Sequence, residues 1–244
     1  MNWEECEDYG ALSRRAAEIL LAAIREDPRV VLGLPTGRTP VGMYDRVIAE
    51  CSRHYHCFRD VTTFNLDEYA GIPREHPGSY CAYMKQHLFD HVDIDPANAH
   101  IPRGDAPDLD AECVRYEGEI AAAGSLGLTF LGLGQNGHIG FNEPGTPFDS
   151  RTRVVELSHS TRVANAGLFV DGKVPARAIT IGIGTILDSK RIVLLASGES
   201  KRDAIARLRI GEVDESFPAS ALHTHRDVTI LSFTTEAPRT PRET

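Results

Sequence analysis

The chain has 244 residues, 41% hydrophobic and 25% charged, which suits one globular domain with a sizeable core. Its 26 basic and 35 acidic residues leave a formal net charge of −9, and no basic block stands out, which argues against nucleic-acid and anionic-membrane partners. The first turns of chain lack the apolar run of a secretory signal and no stretch reaches transmembrane length, so a soluble, cytoplasmic protein is expected.

Leu12, Ala16, Ile19, Leu20, Ala23 and Ile24 recur at three- and four-residue spacings and predict an amphipathic helix over 8–25. Asp27-Pro28 ends it, and Val30 to Leu34 reads as a buried strand. Pro35-Thr36-Gly37-Arg38-Thr39-Pro40 follows, then a helical stretch through Glu50, with Thr39 suited to the N-cap and Pro40 to the first turn. Free N–H groups at such a helix start favour an anion, with the Thr36 and Thr39 hydroxyls and Arg38 at hand. An ordinary capped helix start is the competing reading, and the spacing matches neither a Walker loop nor a dinucleotide fingerprint.

Five cysteines, at 6, 51, 57, 81 and 113, are odd in number and scattered, so free thiols in a reducing compartment are expected. Cys51, His54, His56 and Cys57 raise a metal question, but their spacing fits no usual zinc pattern and no metal site is expected.

A strand is predicted over 61–66, with Asp67-Glu68-Tyr69 at its end, where either carboxylate is eligible as a general base or as a cap. A helix over 79–91, a Pro- and Asp-rich loop over 94–107 and a helix over 108–123 come next. The apolar run Leu128 to Leu133 then breaks into glycines at 132, 134, 137 and 140, and the loop presents Asn136, His138, Asn142 and Glu143. Loops past strand ends are where α/β proteins place reactive groups. A histidine beside a carboxylate is an acid/base device, because the glutamate can raise and orient the imidazole; a glycine turn whose histidine caps backbone is the plainer alternative.

Further strands are predicted over 154–157, 178–183, 191–196 and 228–233, with a weakly periodic segment through Pro175 that suits a lid. Ser197-Gly198-Glu199-Ser200-Lys201 opens another helix, to about Leu208; a lysine at a helix start opposes the dipole and calls for an anion. The tail 234–244 reads as disordered. Alternating strands and helices predict an α/β fold, a single domain over 1–233 with a mostly parallel sheet, helices on both faces and a lid at about 158–177. The three glycine loops would then share one cleft.

Taken together, Leu-Gly-Leu-Pro-Thr-Gly-Arg-Thr-Pro at 32–40, Phe-Asn-Leu-Asp-Glu-Tyr at 64–69, Gly-Gln-Asn-Gly-His-Ile-Gly-Phe-Asn-Glu-Pro from 134 and Ser-His-Ser-Thr-Arg-Val-Ala-Asn at 158–165 resemble the glucosamine-6-phosphate deaminase family. Ile-Gly-Ile-Gly-Thr-Ile-Leu-Asp at 181–188 and Ser-Gly-Glu-Ser-Lys ending at 201 add two more motifs. The resemblance implies a Rossmann-like fold and conversion of glucosamine 6-phosphate and water into fructose 6-phosphate and ammonia, without metal or organic cofactor. Asp67 then matches the base for enolisation, Asn136, His138 and Glu143 the ring-opening group, and Gly37, Arg38, Thr39 and Lys201 the phosphate site. Some members have aspartate in place of Asn136, which leaves Glu143 as the relay's negative charge. Gly167 stands where the family usually has a phosphate-clamping arginine, while Arg38 replaces a small residue and can compensate. The basic cluster of allosteric members is incomplete, since Val155 and Glu156 follow Arg153. A related sugar-phosphate isomerase or 6-phosphogluconolactonase-like hydrolase, and a non-catalytic sugar-phosphate-binding regulator, stay open as alternatives, as does a homo-oligomer.

Overall fold

The computed structural model describes residues 1–53, 57–169 and 172–234. The runs with helical spacing form α1 (Tyr9–Glu26), α2 (Val41–Cys51), α3 (Tyr80–His87) and α4 (Leu109–Ala122), followed by α5 (His159–Asn165), α6 (Ile183–Leu187) and α7 (Arg202–Ile210). The short apolar runs form β2 (Val31–Leu34), β3 (Thr62–Asn65), β6 (Leu128–Gly132), β9 (Arg191–Ser197) and β10 (Val228–Phe233). With two strands that composition does not reveal, β1 (Asn2–Glu5) and β5 (Ala99–His100), they build a seven-stranded parallel sheet in the order β1-β10-β9-β6-β2-β3-β5. Both unpredicted strands sit at sheet edges, where a strand buries little and carries no continuous apolar run.

Side chains alternate across this sheet. Val193 and Leu195 of β9 pack with Leu12 and Leu20 of α1 and Met43 and Val47 of α2, while Ile192, Leu194 and Ala196 pack with Ile120 of α4 and Ile205 and Leu208 of α7. Helices therefore cover both faces, and each large aliphatic side chain so buried contributes about 1.5–3 kcal/mol.

The parallel plan breaks at Leu66. Its N–H bonds the carbonyl of Leu34 in the large sheet, and its carbonyl accepts from Ile181, so the chain crosses there into a second, antiparallel sheet. That sheet orders β4 (Asp67–Tyr69), β8 (Arg177–Thr180) and β7 (Arg153–Glu156) as β4-β8-β7. The predicted strands 154–157 and 178–183 thus lie outside the parallel sheet, and the second is cut short because Ile183 begins α6. A period-two run of this length carries no information about which sheet it joins.

Two local expectations are corrected. Thr39 is not the N-cap of α2: Pro40 occupies that position without a side-chain bond, and the Thr39 hydroxyl instead meets the Ser197 hydroxyl at 3.2 Å. Nor are all cysteines free thiols, because the turn after α2 brings the Cα atoms of Cys51 and Cys57 to 5.4 Å and the two form a disulfide; Cys6, Cys81 and Cys113 are free. His54, His56 and the tail from 235 lie outside the described residues. Among those described, no helix is long and apolar enough to cross a membrane, and no group of three or more His, Cys, Asp or Glu is arranged to hold a metal ion.

Candidate active site

The carboxyl ends of β2, β6 and β9 open onto one cavity of about 410 Å³. Thr36, Gly37, Arg38, Thr39, Asp67, Asn136, His138 and Lys201 all line it, so eight of the residues expected from sequence meet in one place. Glu143 does not line it and stands behind Asn136. Phe141, Tyr80 and three residues of the segment after β7, Ser160, Thr161 and Asn165, complete the wall on the other side.

At one end the loop 35–40 leads into α2, and at the helix start the N–H groups of Val41 and Met43 have no acceptor among the described residues. The loop is braced from two sides: the Tyr83 hydroxyl donates to the carbonyl of Gly37 at 2.6 Å, and the Tyr9 hydroxyl bonds the Thr39 carbonyl at 3.1 Å and accepts from Gly42 N–H at 2.9 Å. Arg38 is exposed at the rim, and burial lowers the pKa of Lys201, which lines the same cavity. Neither cation has an acidic partner among the described residues. An anion is the natural neutraliser of two such charges beside a helix N-terminus.

At the other end Asp67 begins β4, paired with Thr180 across the antiparallel ladder and only 5% exposed. No group among the described residues donates a hydrogen bond to its carboxyl. Burial, with the neighbouring Glu68 charge, pushes its pKa up to about 8. Glu68 has a different fate. Its carboxylate accepts from the N–H groups of Tyr69 (2.8 Å), Tyr80 (2.9 Å) and Cys81 (2.8 Å), capping the start of α3, and points away from the cavity. Burial raises Glu68 to about 7 against the pull of those three N–H groups. Of the two carboxylates the sequence leaves eligible, only Asp67 lines the cavity.

Facing Asp67 is the loop after β6. A Cβ on Gly140 would come within 3.5 Å of Asp67 Oδ2, and one on Gly134 would overlap the His138 ring at 2.4 Å, so the glycines let the imidazole fold back over the loop. Asn142 pins the loop, donating to the carbonyls of Ile139 and Ile181 and accepting from Arg153 at 2.8 Å. His138 Nδ1 lies 2.7 Å from Asn136 Oδ1, and Asn136 Nδ2 donates to Glu143 Oε2 at 2.7 Å. Since the amide oxygen can only accept, the proton sits on Nδ1 and the Nε2 lone pair is left for the cavity. The direct His138–Glu143 separation is 3.8 Å, so the amide relays the carboxylate rather than the glutamate touching the ring.

The expected rise of the imidazole pKa is reversed. Burial lowers His138, Glu143 opposes it, and Lys201 adds to the lowering. Burial also raises Glu143, but hydrogen bonds from Thr161 and Asn136, the charge of His138 and a bond from Ser158 bring it below the ordinary range. Ser158 and Thr161 were not picked out individually from sequence. The only local signal is the Ser-x-x-Thr pattern at a helix start, where Ser158 accepts from Thr161 N–H as N-cap.

Residues 7–231 match the family described as glucosamine-6-phosphate isomerases/6-phosphogluconolactonase. The chain belongs to that family. It is 51% identical over 232 residues to a glucosamine-6-phosphate deaminase of Lysinibacillus sphaericus, covering 95% of this chain and 98% of the relative. It is likewise 51% identical over 228 residues to glucosamine-6-phosphate deaminase 1 of Bacillus subtilis, covering 93% and 94%. Among solved structures, a monomeric glucosamine-6-phosphate deaminase superposes with a TM-score of 0.94 at 50% identity, covering 96% of this chain and 97% of that one. A 6-phosphogluconolactonase of Thermotoga maritima shares the fold with a TM-score of 0.74 at 19% identity, over 96% and 99% of the two chains. Gly167, where the resemblance leads one to expect an arginine, stands apart from the residues of the cavity. It is exposed, does not line the cavity, and has open space where a side chain would begin.

Proposed function

We propose that the chain deaminates glucosamine 6-phosphate, with water, to fructose 6-phosphate and ammonia. The observation that carries this reading is one cavity with a base, Asp67, and a tautomer-fixed imidazole, His138, at one end and two unneutralised cations, Arg38 and Lys201, at the other. The 6-phosphate goes to the cations and the free N–H groups of loop 35–40. His138 Nε2 takes the anomeric hydroxyl proton and returns it to the ring oxygen, opening the pyranose. Asp67 then removes the proton from C2 as the substrate's ammonium gives one proton to O1, and delivers the C2 proton to C1, leaving an iminium at C2 that water hydrolyses with loss of ammonia. A carboxylate whose pKa lies near operating pH is a stronger base than an ordinary one. The ammonium of the arriving substrate ionises Asp67 by Coulomb attraction.

The test is release of ammonia and fructose 6-phosphate from glucosamine 6-phosphate, run beside hydrolysis of 6-phosphogluconolactone and sugar-phosphate binding without turnover. Lactone hydrolysis alone, or binding alone, overturns the reading. A cytoplasmic location and a monomeric state belong to the same proposal, the second because the structural neighbour at 50% identity is described as monomeric; sedimentation of the purified chain tests it.

A further inference from the structure

The two oxygens of Glu143 are served by different parts of the molecule. Oε2 accepts from Asn136, within the loop after β6. Among the described residues, Oε1 accepts only from the segment after β7: from the Thr161 hydroxyl, and from Ser158 Oγ at 3.1 Å. Ser158 has one hydroxyl proton to give and three acceptors within reach, since Ser160 Oγ and Thr161 Oγ1 also lie 3.0 Å away. Among the described residues Thr161 has no other acceptor for its proton, so it is the committed donor. It is buried and lines the cavity as well.

The far end of the same segment is fastened separately. Phe169 packs edge-on against Tyr69, with ring centres 5.2 Å apart, and lies 5.5 Å from the His76 ring. It fills a slot that exists because residue 78 is glycine: a Cβ there would come within 2.7 Å of the Phe169 ring. Tyr69 in turn contacts Tyr80 and Phe141, both of which line the cavity. The segment is therefore pinned at Phe169 and reaches back over the cavity to set one hydroxyl on Glu143.

We propose that Thr161, with Ser158 beside it, is a positioning residue that completes the acid/base relay. Seating the segment 158–169 aims Glu143 at Asn136 and thereby fixes the His138 tautomer that opens the sugar ring. The inference rests on the proposed function for its last step, ring opening, but its first step concerns Glu143 alone. Of the titratable groups, His138 at 3.8 Å is the one whose charge acts on Glu143, and Lys201 acts on His138 from the cavity side.

The experiment compares full-length wild type with Thr161→Val, which removes the hydroxyl at nearly constant shape, and Thr161→Ser, which keeps it. Carbon-13 NMR of labelled glutamate follows the Glu143 carboxyl with no substrate present. In Thr161→Val it titrates about one pH unit higher, because a bond that favours the ionised form is lost, and Thr161→Ser returns it to the wild-type position. With glucosamine 6-phosphate, Thr161→Val loses roughly tenfold to a hundredfold in kcat with KM changed by less than about threefold, the serine variant recovers most of it, and substrate supplied in open-chain form is largely spared. An unchanged Glu143 titration in Thr161→Val overturns the proposal, as does failure of serine to rescue or an equal loss on closed and open substrate, which would mark Thr161 as lid packing only. A wild type that releases no ammonia overturns the proposed function instead, while the Glu143 titration still decides the positioning claim.

Discussion

The parallel sheet and the small antiparallel sheet contribute to the cavity in different ways. The loops after β2, β6 and β9 deliver helix starts, glycines and an imidazole, held by bonds within a loop, to a neighbouring loop or to a flanking helix: Asn136 to His138, Thr39 to Ser197, Tyr83 of α3 to Gly37. The antiparallel sheet delivers Asp67 at the start of β4, and the segment leaving β7 delivers Thr161, each meeting its target only because tertiary structure brings distant pieces together. Local chemistry thus supplies the proposed anion cradle and the His138 tautomer, while the proposed base and the Thr161 contact are products of topology. A carboxylate next to Asp67 in sequence, Glu68, ends up as a helix cap because the strand alternation turns it to α3.

The largest effect should come from the product of topology. Asp67→Asn keeps the shape and removes the proton acceptor, so kcat should fall by ~10²–10⁴-fold with KM nearly unchanged. Glu68→Gln should do the reverse, lowering Tm through the weakened cap of α3 while a folded preparation keeps most of its turnover. Steady-state kinetics and melting curves on both variants separate the two; turnover lost equally in both would mean that the distinction drawn between the neighbours is wrong.

His138→Ala tests the locally built half. It should cost roughly 10²-fold with the closed sugar and much less when the substrate is presented in open-chain form, since its step precedes isomerisation. Equal losses on the two forms would remove the ring-opening role. The cradle comes third: Arg38→Gly should raise KM about tenfold with a smaller change in kcat, because a remote phosphate contact serves ground and transition states alike. Adding Gly167→Arg to that variant should restore part of the affinity, given the open space at residue 167. A silent Arg38→Gly would show that Lys201 and the backbone N–H groups hold the phosphate unaided.

The same division governs what can be read from the chain itself. The helix start after Pro40, the glycine loop with His138 and the helix start near Lys201 are local patterns, and they fall where local chemistry places them. Three things were not legible for physical reasons. The antiparallel pairing of β4, β7 and β8 depends on the crossing at Leu66, which no short window reveals. The direction of the His138 pKa depends on burial, which the proximity of Glu143 hides. The hydroxyls on Glu143 come from 15 and 18 residues away, from the N-cap and first turn of a seven-residue helix whose periodicity is too short to place.

The smallest effect concerns stability rather than rate, and it sharpens the claim that Asp67 is an isolated buried acid. Its folded-state pKa of about 8 lies above the ordinary 3.8, so the folded chain holds a proton that the unfolded chain has already released. The stabilising contribution is fully present below pH 3.8 and is lost progressively as pH rises towards 8, because ionising a buried carboxyl without donors disfavours the folded state. Asparagine carries no such charge at any pH. Asp67→Asn should therefore melt several degrees above wild type at pH 8–9, with the gap closing steadily as pH falls towards 4. A Tm difference that stays flat across this range would mean that Asp67 is ionised and stabilised in the empty site by a partner, and the electrostatic reason for its strength as a base would fall with it.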